Sequence, residues 1–451
     1  MNGHVLHRAV DLPTISHATG SELFDTAGRR YLDGSGGAVV VGIGHGRDSV
    51  ADVMARQART VAHAHGTMFT SEAVEAYGSE LAGILPVRDA RIYPVSGGSE
   101  AIETAFKLAR SYHLARGEPS RHRIVSRHGS YHGNTRGALD ASDRLALQGP
   151  YAPWLGLSSH VRAAYEYRCP YLDDGGGHPS GCGARLAAEL DETISSLGPE
   201  TVAAFVAEPV AGATLGAAVP ADDYWPAVAE VCRRHGVLLI ADEVMTGFGR
   251  TGRWFGLEHW GVPADLLTAA KGASSGYWPL GVVAASGTVA DAVRDGGFVN
   301  GFSFSHHVVG ATVGLEVLRI LREEELVAAS AAKGEVMLAM LRARLAPLAH
   351  VGDVRGLGLM AGVELVRDRE SREPYDHHDR ITEIVVRAAR DRGVLIYPST
   401  GCADGVNGDL VMLAPPFVVT EPETEEIVEA IGGAIEEATL AAGKQPARAR
   451  S

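Results

Sequence analysis

The sequence predicts an α/β protein in which a large unit with a mostly parallel sheet is followed by a smaller α+β unit. Three observations predict it. From about residue 50 to 300, short apolar runs alternate with amphipathic stretches, the pattern of repeated strand and helix units around a parallel sheet. After about residue 305 the alternation stops, and a long helical stretch gives way to short strands and a last helix. The chain of 451 residues, 45% apolar and 21% charged, is long enough for two cores and has the composition of a globular protein.

Near the start, Glu22-Leu23-Phe24-Asp25 and Arg30-Tyr31-Leu32-Asp33 bracket Thr26-Ala27-Gly28-Arg29, which reads as a hairpin. Strands are expected at 91–95, 123–126, 202–207, 237–241, 266–270 and 281–285. A helix is expected over 99–116, where Ala101, Ile102, Ala105, Phe106, Ala109 and Tyr112 trace one face. Glu100 and Glu103 sit in its first turns, and Gly117 with Pro119 just beyond ends it. Residues 140–185 have few periodic cues and much Gly, Pro and Tyr, so they read as a long loop insertion of the kind that is often functional. A long helix with a break is expected over 309–346, strands near 359–365 and 410–414, and a final helix near 422–440. The resulting division is an N-terminal segment 1–50, a large domain 51–305, a small domain 306–440 and a frayed tail 441–451.

A formal net charge of −14 argues against nucleic acid or an acidic membrane as the main partner. No signal peptide and no membrane span is evident. Cys169, Cys182, Cys232 and Cys402 form no C-x-x-C pair. Cys169 and Cys182 flank a glycine-rich insert and could approach each other, but free thiols are expected, and with them a cytoplasmic location. No metal site is expected.

Four of the 41 basic residues are lysines, and one stands where chemistry would put it. Lys107 and Lys333 lie in amphipathic stretches and Lys444 in the polar tail. Lys271 ends the apolar run Leu266-Leu267-Thr268-Ala269-Ala270 and precedes Gly272-Ala273-Ser274-Ser275-Gly276. A guanidinium cannot lose its proton, whereas a desolvated amine can, so Lys271 is a candidate nucleophile. A surface lysine beside a loop is the plainer alternative.

In open α/β sheets, ligands sit beyond the carboxyl ends of the strands. Strand 91–95 runs into Ser96-Gly97-Gly98-Ser99 and a helix, an arrangement that can hold a phosphate. Strand 123–126 is followed by Tyr131-His132-Gly133, 202–207 by Glu208-Pro209, 237–241 by Asp242-Glu243, and 266–270 by Lys271. These parts suit pyridoxal phosphate. Its phosphate needs the helix N-terminus, its aldehyde a lysine, and its ring nitrogen a buried carboxylate. A carboxylate buried there needs a cation beside it; a helix cap is the plainer role for Asp242. Gly42-Ile43-Gly44-His45-Gly46 is a rival nucleotide signal, but it is not G-x-G-x-x-G, and no clear helix pattern or distant acid completes the unit.

Taken together, these motifs resemble the class III (ω-) aminotransferases of fold type I, along nearly the whole chain. The resemblance rests on Tyr31-Leu32-Asp33-Gly34, Ser96-Gly97-Gly98-Ser99-Glu100-Ala101, Tyr131-His132-Gly133 and Glu208-Pro209-Val210. It continues through Asp242-Glu243-Val244 and Gly247-Phe248-Gly249-Arg250-Thr251-Gly252 to Ala270-Lys271-Gly272. It implies that Lys271 is the Schiff-base lysine of pyridoxal 5′-phosphate and Asp242 the partner of its ring nitrogen. Val244 and Tyr131 would pack on the two ring faces, Gly98 and Ser99 would contact the phosphate, and His132 and Glu208 would lie beside the cofactor. Ser303 falls where many relatives have a Thr that reaches the phosphate from the other subunit; a Ser hydroxyl can make the same hydrogen bond. A homodimer with shared sites is implied, and an N-terminal segment that joins the C-terminal domain.

The implied reaction is a ping-pong transamination between an amine donor and a carbonyl acceptor, with Lys271 moving the proton. A decarboxylase, racemase or aminomutase on the same scaffold is the alternative within pyridoxal phosphate chemistry; a non-catalytic binding protein is the alternative outside it. Many relatives carry a C-terminal Arg that grips the substrate carboxylate and, when unused, pairs with the acid matching Glu208. Here Val394-Leu395-Ile396-Tyr397-Pro398-Ser399 has none, nor has the stretch from Cys402 to Leu413. Carboxylate recognition by a bidentate pair needs a guanidinium. At least one substrate is therefore expected to present an amine without an adjacent carboxylate, leaving Glu208 free for a second cation, unless Arg162 or Arg168 reaches in from the insertion.

Overall fold

The computed structural model describes residues 4–9, 12–172 and 181–443. Three strands open it: β1 (Ile15–Thr19), β2 (Glu22–Asp25) and β3 (Arg30–Asp33), paired antiparallel in sequence. The β2–β3 turn is closed by Asp25, whose Oδ1 accepts the Ala27 and Arg29 N–H groups at 2.9 Å each.

The central sheet holds β4 (Arg91–Val95), β5 (Arg123–Arg127), β6 (Ser159–Val161), β7 (Val202–Ala207), β8 (Leu238–Asp242), β9 (Leu266–Ala269) and β10 (Gly281–Ala285). Their order is β4-β10-β9-β8-β7-β5-β6. Only β10 runs against its neighbours; the pairs from β9 through β6 are all parallel. Every residue of β7 through β10 is buried, because helices cover both faces. On one face Ala204, Val206, Ile240, Leu266 and Val283 meet Ala101, Ile102, Ala105 and Ala109 of the helix Gly98–Ala115. On the other, Phe205, Leu239 and Leu267 join a larger core with the helix Tyr224–His235. Each fully buried aliphatic side chain there contributes about 1.5–3 kcal/mol.

The expected long helix is two, Val308–Glu323 and Leu326–Leu345, broken where Glu325 takes φ +51°. Beyond them come β11 (Val351–Gly356), β12 (Ala361–Leu365), β13 (Val394–Leu395), β14 (Tyr397–Thr400) and β15 (Asp409–Leu413). Four form an antiparallel sheet in the order β11-β12-β15-β14. β13 instead pairs parallel with β3, so the first strands and the C-terminal unit share a sheet. Arg250 ties the parts together: its guanidinium is buried and donates to the carbonyls of Leu359, Pro415 and Val41. The last helix, Glu421–Gly443, extends past 440, and the remainder of the expected tail lies outside the described residues.

Two expectations are corrected. The 140–185 insertion is not a plain loop. It contains short helical turns, the edge strand β6 beside β5, and the start of the helix Cys182–Leu197; residues 173–180 lie outside the described residues. A three-residue strand is too short to leave an alternation in the sequence. The run Gly42–Gly46 is followed by a helix after all, Asp48–Thr60, but no strand precedes it. Its backbone docks instead on Ser275, whose Oγ accepts the Gly42 and Ile43 N–H groups at 2.8 and 3.1 Å. Cys169 and Cys182 do approach, Sγ to Sγ 3.0 Å, as buried free thiols.

Candidate active site

The ends of β4, β5, β7, β8 and β9 open on one side of the sheet, where a cavity of about 430 Å³ lies. Eight residues singled out from sequence line it: Gly98, Ser99, Tyr131, His132, Glu208, Asp242, Val244 and Lys271. They come from five strand ends spread over the sequence, and the parallel sheet brings those ends together. Ser303 is not among the lining residues; it is exposed, in a stretch where Val299 and Phe304 are exposed too.

Asp242 is the last residue of β8, and its carboxylate is 2% exposed. Burial of a carboxylate is costly unless partners replace the lost water, and here both oxygens have hydrogen-bond partners. His132 Nδ1 lies 2.6 Å from Oδ2, the Val244 N–H donates to Oδ1 at 3.1 Å, and Thr268 Oγ1 donates to Oδ1 at 3.4 Å. The His132 ring is held from behind by Ser126 Oγ, 3.2 Å from Nε2, and its backbone N–H donates to Ser142 Oγ.

Lys271 follows β9 with φ +33°, in the left-handed region that an L-residue rarely occupies. Its side chain borders the cavity but is surrounded by protein. That burial lowers its pKa to about 8, although Asp242 and Glu208 pull it upward; Arg250 adds to the lowering. A neutral amine is thus within reach near pH 8.

Glu208 follows β7 and is buried. Oε1 accepts the Gly212 N–H at 3.0 Å, while Oε2 has no partner. Desolvation is the main reason its pKa is raised; His132 and Arg127 work against the shift and Asp242 adds to it. The helix Gly98–Ala115 starts at the other end of the cavity. Ser96 Oγ is buried there without a partner. A Cβ at Gly98 would stand 3.0 Å from Val244 Cγ1, and one at Gly133 would stand 2.5 Å from Ser99 Oγ, so bulk is excluded on both sides of the helix start. Backbone donors at a helix N-terminus, with a spare hydroxyl beside them, suit a phosphate.

The donor set therefore fits pyridoxal phosphate: an anion cradle, the Tyr131 ring and the apolar Val244 on the lining, a buried carboxylate and a depressed-pKa lysine. Sequence reasoning missed Val40, Met245, Trp278 and Leu280, which also line the cavity. Nothing in their local pattern separates them from core residues. The arginines proposed as substitutes for the missing one are occupied: Arg162 Nε lies 3.2 Å from Glu189, and Arg168 Nε 2.8 Å from the buried Glu364.

A family model for aminotransferase class-III matches residues 6–435. An uncharacterized aminotransferase of Bacillus subtilis, YodT, is 36% identical over 92% of this chain and 93% of its own length. Putrescine–pyruvate aminotransferase of Pseudomonas aeruginosa is 33% identical over 92% of this chain and 88% of its own. Among solved structures, a thermostable (S)-enantioselective ω-transaminase from Thermomicrobium roseum superposes with a TM-score of 0.89 at 36% identity, covering 97% of this chain and 96% of that one. An amine transaminase from an uncultivated Pseudomonas species, in its PLP-bound form, gives 0.89 at 35% identity, covering 97% and 98%.

Proposed function

This chain belongs to the class-III aminotransferase family, and on that premise we propose that it transfers an amino group from a terminal amine or ω-amino compound to a carbonyl acceptor, with pyridoxal 5′-phosphate held in the strand-end cavity. The observation that carries the donor class is Glu208 Oε2, buried and without a partner. An acid in that state is a receptor for a cation, and among the described residues no Arg or Lys forms an ion pair with it; Arg127 acts on it only through its field. A donor with an amine at its far end, such as a diamine, meets that need; putrescine is the donor in the name of one relative.

Pyridoxal phosphate, when bound, supplies an aldehyde to take up the amino group and an electron-poor ring to stabilise charge at the substrate carbon. The residues of this chain do the rest. Gly98 and Ser99 would hold the phosphate at the helix start, and Val244 and Tyr131 would flank the ring. Asp242, fixed by His132 and Thr268, would hold a proton on the ring nitrogen. Lys271 would hold the aldehyde end, and its Nζ would take a proton from the substrate carbon and return it. A pKa of about 8 leaves Nζ able to do both near neutrality.

The working unit is a homodimer in the cytoplasm, and Ser303 serves the partner's phosphate site; its exposure beside Val299 and Phe304 supports a place at the interface. Sedimentation at nanomolar concentration tests this: a fully active monomer refutes it. The chain divides as 1–50, 51–305, 306–440 and a tail, with β3–β13 pairing joining the first segment to the third.

The deciding experiment adds single donors to the cofactor-loaded protein and follows loss of the cofactor's long-wavelength absorption. Terminal amines and diamines should discharge it. Discharge by α-amino acids alone would defeat the proposal.

A further inference from the structure

Glu208 opens a loop that turns back on itself. Ala211 and Ala218 pair across the turn, each N–H on the other's carbonyl, at 3.0 and 3.1 Å. Inside it the Gly216 N–H donates to the Gly212 carbonyl at 2.8 Å, and the Gly212 N–H donates to Glu208 Oε1 at 3.0 Å. The carboxylate is therefore oriented by its own loop. Met245 Sδ and Glu208 Oε1 fill the space that a Cβ at Gly212 would take, at 2.3 and 3.0 Å, so the turn is packed against the acid it orients.

The tip of that loop is gripped from the small unit by one arginine. Arg355 lies near the end of β11, and its side chain is 11% exposed. Its Nε donates to the Gly216 carbonyl at 2.8 Å and its Nη2 to the Leu215 carbonyl at 2.6 Å. A guanidinium fork can hold two successive carbonyls in this way, and a single ammonium cannot. The fork is itself fixed: Nη1 lies 2.8 Å from Asp353 Oδ2 and 2.9 Å from Glu364 Oε2. Gly362 of β12 permits the approach, since a Cβ there would lie 2.1 Å from the Gly216 carbonyl oxygen. The Glu208 carbonyl is held separately, by Arg127 Nη2 at 2.6 Å, so the two ends of the loop answer to different units. A path of hydrogen bonds thus runs from Arg355 through Gly216 and Gly212 to the carboxylate whose other oxygen has no partner.

We propose that Arg355 is a positioning residue for the donor's distal cation: it clamps the loop that follows Glu208 and so keeps Glu208 Oε2 free for that cation. A buried acceptor without a partner is costly, and a loop at liberty to relax would bring an amide to it; the clamp from the small unit prevents that relaxation. This rests on the donor reading given above. It adds that the choice between diamines and monoamines is set in part by a residue that does not line the strand-end cavity.

The test compares cofactor-loaded Arg355→Gln, Arg355→Lys and Glu208→Gln proteins with the Arg355→Gln/Glu208→Gln double variant. In Arg355→Gln the KM for 1,4-diaminobutane should rise about 3- to 10-fold, the range of one hydrogen bond. That for butylamine should stay within about twofold, as for a site uncoupled to the change. On the Glu208→Gln background the same substitution should add nothing, since a residue that acts through another loses its effect with it. Hydrogen exchange resolved to single residues should show the Gly212 amide exchanging faster in Arg355→Gln while the amides of β8 stay protected. Arg355→Lys keeps a charge beside Glu364 and Asp353 without the fork, so it carries the test if Arg355→Gln does not fold; it should show the same selective rise at smaller size. Equal shifts for the two amines, an additive double variant, or an unchanged Gly212 amide would each overturn the assignment. If Glu208→Gln itself leaves the two amines alike, the donor reading fails, and Gly212 exchange still decides whether Arg355 holds the loop.

Discussion

Two buried carboxylates stand at the ends of neighbouring strands, and they are treated in opposite ways. Asp242, ending β8, has His132 against one oxygen and two donors on the other. Glu208, just past β7, has one donor on one oxygen and nothing on the other. Both are removed from water, so the difference lies in what the protein supplies. On the proposed function, the fully partnered acid suits one fixed group, the cofactor ring, and the half-partnered acid suits a cation that a changing substrate would provide. Lys271 stands under the influence of both.

The largest effect should come from removing the amine that both acids face. Lys271→Ala should abolish turnover and covalent cofactor attachment while leaving the fold intact. Borohydride reduction of the wild type followed by peptide mapping checks it, and label on Lys107, Lys333 or Lys444 would reassign the role. Next comes the rigid acid. Asp242→Asn should still bind cofactor but lose about 3 orders of magnitude in rate, some 4 kcal/mol in the barrier. A variant keeping more than about a tenth of the wild-type rate would make Asp242 a structural residue and erase the contrast with Glu208.

The third test is of stability without cofactor. Lys271 has a folded pKa of about 8 against an ordinary value of 10.5, so the unfolded chain binds more protons between these pH values and stability rises with pH across them. Below pH 8 both states are protonated and the full cost of burying the charge remains. Cofactor-free Lys271→Met should therefore be the more stable protein at pH 7, by about 2–3 kcal/mol, with the gap closing as pH rises from 8 to 10.5. Denaturant midpoints at several pH values measure it; a pH-independent gap would mean that the amine is not desolvated.

The smallest expected effect is the most selective. Glu208→Gln should raise the KM for 1,4-diaminobutane about tenfold, or about 1.4 kcal/mol, and leave butylamine within about twofold. If both amines shift together, Glu208 acts on the cofactor and not on the distal cation.

Much of the chemistry end was legible because each part is local. A strand, the residue that ends it and the turn that follows are contiguous, so Asp242 and Lys271 could be found one strand at a time. The insertion was not legible in this way. The edge strand β6 sits in a segment with no periodic pattern, and its pairing with β5 depends on how the insertion packs back on the sheet. Arg162 and Arg168, the alternative to a missing carboxylate-binding arginine, were reasonable by position, but Glu189 and Glu364 had already claimed them. His132 was read as a neighbour of the cofactor and does line the cavity, but its contact with Asp242, 110 residues away, was not legible in the motif.

By itself the sequence determined the α/β class, the central strands, the helix that starts at the cavity and the family, since these rest on periodicity and on motifs that keep their spacing. Only the tertiary structure decided that β6 extends the sheet, that β13 leaves its own unit to pair with β3, and that Glu208 keeps an unpartnered oxygen while Asp242 keeps none. The physical reason is that a hydrogen-bond partner or a charge neighbour is a property of space. Side-chain periodicity records which face of an element is buried, but not what it is buried against.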